Sequence, residues 1–76
     1  MFTIKHTEEN GKSSMFLALS VHFDPGEKQL VAYGSPGPNE GARHDGVIRF
    51  GDGHIYVMNE NGKTVAVYVL TGNRSV

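Results

Sequence analysis

At 76 residues the chain is long enough for one domain and no more, and a domain of that size buries only about 60% of the surface its unfolded chain exposes. A formal net charge of -1, with no acidic or basic run, excludes the electrostatic footprint of a nucleic-acid binder. No apolar stretch approaches the roughly 20 residues of a membrane helix, and the absence of cysteine removes disulfides and thiolate metal sites.

Residues 1–7 alternate, with Phe2, Ile4 and His6 on one side and Thr3, Lys5 and Thr7 on the other, as half-buried strands do. Asn10-Gly11, with Glu9 and Lys12 at its base, is a hairpin signal and reads as a two-residue loop. On that register Ile4 pairs with Leu17 and Phe2 with Leu19, so Met15, Leu17, Leu19, Val21 and Phe23 share the apolar face. The opposite face of this long strand holds Phe16, Ala18, Ser20 and His22. Asp24-Pro25-Gly26-Glu27 is a turn in which proline presets φ at the second position and Gly26 can take positive φ at the third. The strand that follows places Leu30 and Ala32 on the Val21 face.

Glycine and proline crowd residues 34–45 and forbid regular structure there. Beyond them Asp52-Gly53 and Asn61-Gly62 read as two more hairpin loops, flanked by β-branched and aromatic residues. This register sets Phe50 opposite Ile55, Arg49 opposite Tyr56, Tyr56 opposite Val67 and Met58 opposite Val65. One face then carries Ile48, Phe50, Ile55, Val57, Ala66, Tyr68 and Leu70, apolar throughout. The other carries Val47, Arg49, His54, Tyr56, Met58, Val65, Val67 and Val69. A sheet wet on one side is polar on that side; this one is not, so something is expected to cover it.

No segment shows a helical period between caps, and no convincing repeat relates the two halves. The expectation is one all-β domain of six short antiparallel strands, near residues 2–7, 14–23, 28–33, 46–51, 54–59 and 64–71. They form two three-stranded meanders, 1–33 and 46–71, packed as a small sandwich or flattened up-and-down barrel. Loop 34–45 joins them and a short tail, 72–76, follows. The polar start, MFTIKHTEENGK, is no signal peptide, so cytoplasmic residence is expected, and the Asn73-Arg74-Ser75 sequon then counts as chance.

Chemistry-bearing patterns are sparse. His6, His22, His44 and His54 show no metal-ligand spacing, so neither a metal nor another cofactor is expected. Arg43-His44-Asp45 sets a cation, an imidazole and a carboxylate at a loop end, but functional triads are assembled in space rather than along the chain. The glycines at 34, 37 and 41 lack the Gly-Lys-Ser/Thr and the following helix of a phosphate loop. The strongest constellation is Arg49, His54 and Tyr56, which on this register lie together on an apolar sheet. With Arg43 and His44 they would grip an anionic, nucleotide-like ligand. Arg and Tyr are also the residues enriched at protein interfaces, the preferred reading.

The closing segment, HIYVMNENGKTVAVYVL, resembles the strand-turn-strand endings of small all-β proteins encoded by bacteriophages. The resemblance implies a compact accessory protein that acts by binding a host protein or a host defence signal. Together with the second apolar face, it leads to the expectation of a non-enzymatic module that binds a protein partner. Val47, Met58, Val65, Val67 and Val69 are its expected oligomer interface, and a homodimer is the simplest closed assembly. Small-ligand sequestration is the alternative, and nothing in the residues calls for an enzyme.

Overall fold

The computed structural model describes residues 1–35 and 46–71. Its strands are β1 (Phe2–Thr7), β2 (Ser13–Ala18), β3 (Ser20–Asp24), β4 (Gln29–Tyr33), β5 (Val47–Phe50), β6 (Asp52–Met58) and β7 (Thr64–Thr71). They form two antiparallel sheets, a four-stranded one in the order β2-β1-β6-β7 and a three-stranded one in the order β3-β4-β5, with no helix among the described residues. The all-β expectation stands. Among the described residues the count is seven rather than six, and neither predicted meander is a single sheet.

Both meanders split for a local reason. The long first-half strand breaks at Leu19, whose amide donates to the Tyr33 carbonyl at 2.9 Å. On its two sides the inward positions change from even numbers (Phe16, Ala18) to odd ones (Val21, Phe23), so one segment serves both sheets. In the second half, Asp52-Gly53 is not a hairpin loop. β5 pairs with β4, setting Phe50 opposite Leu30 and Arg49 opposite Val31, and Gly51 carries the chain across into the other sheet. There Asp52 and Gly53 already belong to β6, which pairs with β1 and β7.

Gly53 has φ +88° for a different purpose from a turn. A Cβ at this position would lie 2.4 Å from the Thr7 carbonyl oxygen and 3.0 Å from His6 Nε2. Glycine lets the β1 backbone close on the crossover. His6, mostly buried, donates its Nε2 proton to the Asp52 carbonyl at 2.7 Å and rests against the Phe50 ring, centroids 4.9 Å apart. One imidazole thus ties the end of β1 to the joint between the sheets.

The two asparagine-glycine hairpins share one backbone design. Residues 9–12 and 60–63 both read Glu-Asn-Gly-Lys. The Glu8 amide donates to the Lys12 carbonyl at 2.8 Å and the Gly11 amide to the Glu8 carbonyl at 2.9 Å; Asn59, Lys63 and Gly62 repeat these bonds at 2.9 and 3.0 Å. Each is therefore a three-residue loop closed by a glycine at positive φ, not the two-residue loop expected. This small repeat, missed in the sequence, relates the outer hairpins of the four-stranded sheet across the β1–β6 seam.

The extra loop residue has opposite consequences in the two hairpins. In β1–β2 it shifts the register by one, so Ile4 pairs with Phe16 and Phe2 with Ala18. A one-residue slip turns a strand over. Phe16 and Ala18 face inward, and Met15, Leu17 and Leu19, expected in the core, do not join it. In β6–β7 a bulge at Val65 absorbs the shift: Met58 pairs with Thr64 rather than Val65, and Tyr56 still pairs with Val67.

The inner faces of the two sheets share a single core around Ile4, Ala18, Leu30, Ala32, Phe50, Ile55 and Val57. Phe16 packs edge-on against Phe50 at 5.2 Å, and Phe23 stacks on Tyr68 at 5.8 Å. The turn after β3 also differs from expectation. Asp24 Oδ1 accepts the amides of Gly26 and Glu27, but Lys28, not Gly26, holds the positive φ, at 54°. A side chain disfavours that conformation. Lys28→Gly is therefore expected to raise stability by about 0.5–1 kcal/mol, read as a higher urea midpoint at unchanged slope.

Candidate interaction face

The outer face of the four-stranded sheet follows from the registers. In a row across the strands lie Met15 on β2, Lys5 on β1, Tyr56 on β6 and Val67 on β7. The neighbouring rows bring Leu17, Thr3 and Met58 on one side and Ser13, Thr7, His54 and Val69 on the other. Met15 is 52% exposed, Val67 53% and Val69 62%, and the bulged Val65 is exposed as well. No described element of the chain packs over them. Contiguous exposed apolar patches are a feature of interaction sites.

The predicted site residues divide between two surfaces. His54, Tyr56, Met58, Val65, Val67 and Val69 belong to the four-stranded sheet. Arg49 and Val47, both exposed, belong to β5 in the other sheet, opposite Val31 and Tyr33. Arg49 therefore does not face Tyr56, because β5 and β6 are not partners. Tyr56 is instead flanked by Lys5 and Val67. Arg43 and His44 lie outside the described residues, as do the rest of loop 36–45 and the tail 72–76. Sequence reasoning missed Met15 and Leu17 as part of the face, since the two-residue loop reading turned β2 over, and missed Lys5 beside Tyr56, since it did not pair β1 with β6.

The hairpin repeat places a shallow cleft near each end of the face. One, of about 440 Å³, is lined by Met1, Thr3, Leu17, Asn59, Glu60 and Gly62. Its counterpart, about 360 Å³, is lined by the other turn's Glu8 and Glu9 together with His54 and Val69. In the first, the α-ammonium group of Met1 donates to Glu60 Oε1 at 2.9 Å. That hydrogen bond, and the positive charge behind it, hold the Glu60 carboxyl below the usual carboxylate range.

Among the described residues, no three His, Cys, Asp or Glu side chains converge as a metal site, and no helix is long and apolar enough to cross a membrane. The chemistry of the face is hydrophobic burial, with Lys5, His54 and Tyr56 as its polar handles. The chain matches no family model, and no curated protein and no solved structure matches it either.

Proposed function

We propose that the chain is a non-enzymatic protein-binding module whose working surface is the outer face of the four-stranded sheet. The single observation behind this is the exposure of Val65, Val67 and Val69 together with Met15 on that face. Burial of such side chains is favourable by about 25 cal/mol per Å² of apolar surface, so the face gains by being covered. A second copy is the simplest cover, since a two-fold axis matches a surface to itself. A homodimer accordingly brings Val67, Val69 and Tyr56 of both copies together. The resemblance of the closing hairpin to phage-encoded proteins extends the proposal to an accessory or inhibitor protein that acts on a host protein.

Sedimentation of the wild type at high micromolar concentration is expected to give a dimer. Val67→Lys should give a folded monomer, because this side chain makes no part of the core; Val69→Glu gives a second reading of the same face. A monomeric wild type, or variants that keep the wild-type mass and melting temperature, would overturn the proposal. The ligand-binding alternative loses its Arg49–Tyr56 pairing in this fold. A melting-temperature rise with nucleotides would restore it, because ligand binding to the native state alone stabilises that state.

A further inference from the structure

The two Glu-Asn-Gly-Lys turns have the same backbone, but their side chains are wired differently. In the first, the Lys12 amide donates to Asn10 Oδ1 at 2.9 Å. In the second, the corresponding Lys63 amide donates to Asn59 Oδ1 at 3.0 Å, and the Asn61 amide donates to the same oxygen at 2.9 Å. The cause is one residue: the loop-closing position is Glu8 in the first turn and Asn59 in the second. Asn59 caps the turn itself, as asparagine does in an Asx-turn. The Asn61 carboxamide is left with no hydrogen bond among the described residues.

From this wiring we infer that Asn61 is a site of spontaneous covalent modification, converted to aspartate and isoaspartate through attack by the Gly62 backbone nitrogen. Hydroxide removes the Gly62 amide proton. The nitrogen forms a bond to Asn61 Cγ, the Cγ–Nδ2 bond breaks, and Nδ2 leaves as ammonia after taking a proton from water. Water then opens the resulting five-membered imide at either carbonyl. The balance is one water consumed and one ammonia released, with no redox change.

Both turns meet the general requirements. The residues are exposed, and a Cβ built at either Gly11 or Gly62 meets nothing within 4 Å, so the two glycines are equally uncrowded beside their Cα atoms. The glycine amides are also equally engaged, to Glu8 at 2.9 Å and to Asn59 at 3.0 Å. What separates the turns is the electrophile. The Asn10 carboxamide is held on the Lys12 amide and must break that bond before its Cγ can swing towards Gly11. The Asn61 carboxamide is not held. Reaction there sets a new carboxylate beside Glu60, which already holds the Met1 ammonium group, and isoaspartate adds a main-chain carbon close to the Val65 bulge.

The test is incubation of the folded wild type at mildly alkaline pH, followed by peptide mapping with mass spectrometry and isoaspartate detection. Asn61 is expected to convert severalfold faster than Asn10. In urea, where both turns are lost, the two rates should come together. Glu8→Asn should release Asn10 and speed its conversion, and Asn59→Glu should slow that of Asn61. Conversion of Asn10 as fast as Asn61 in the folded protein, failure of Asn61 to react over the period in which the denatured chain does, or rates indifferent to both exchanges would overturn the inference.

Discussion

Gly53→Ala is expected to lower stability by about 3 kcal/mol or more, enough to leave much of a small domain unfolded. Two penalties combine. The added methyl group would begin 2.4 Å from the Thr7 carbonyl oxygen, a contact with backbone that no side-chain rotation relieves, and the residue would keep φ near +88°. Separation of β1 from β6 is the remaining escape, and it takes the His6–Asp52 hydrogen bond with it. Gly62→Ala is the matched control. Its φ is +79° with nothing within 4 Å, so only conformational strain applies, about 1 kcal/mol. Urea unfolding followed by far-ultraviolet circular dichroism compares the two. A Gly53 variant no less stable than the Gly62 variant would show that the close approach at the crossover is unimportant.

Ile4→Ala should cost about 2–5 kcal/mol, while Met15→Ala on the neighbouring strand should stay within about 0.5 kcal/mol of wild type. Ile4 is fully buried on a central strand, between Phe16 on β2 and Val57 on β6. Its truncation leaves a hole that the flanking strands cannot close without losing register. Met15 is more than half exposed. Ile4→Val should fall between, at about 0.5–1.5 kcal/mol. The Met15 result is the sharper measurement, because a two-residue first loop would bury Met15 and make its removal expensive. Equal losses at Ile4 and Met15 would favour that other register.

Side-chain alternation in the second half was readable without knowing its partners. Ile48, Phe50, Ile55, Val57, Ala66, Tyr68 and Leu70 all face inward as expected, since period-two alternation survives a change of sheet at Gly51. Strand partnership was not readable. Asp52-Gly53 carries the same residues as a tight hairpin, and glycine at positive φ serves a crossover equally well; only the approach of Thr7 from the far end of the chain distinguishes them. Along β2 and the break after it, the run Met15-Phe16-Leu17-Ala18-Leu19 is apolar at every position, so the pattern held no vote on which face is inside, and loop length alone decided it. The same loop error left Tyr56 and Val67 correctly paired because Val65 bulges. Of the candidate site, the valines of β7 were legible as a second apolar face. The Arg49–Tyr56 pair was not, because it depended on a hairpin the chain does not make.

The seam between β1 and β6 has a kinetic meaning. The turns at residues 8–12, 25–28 and 59–63 join sequence neighbours, and such ribbons close in about 1–10 μs. Ile4 and Val57, by contrast, lie far apart in the polypeptide, so their meeting carries the entropy of closing the long loop from β1 to β6. The four-stranded sheet is therefore two preformed ribbons waiting on one late zipper, and a nascent chain still lacking β6 holds the first ribbon with one flank bare.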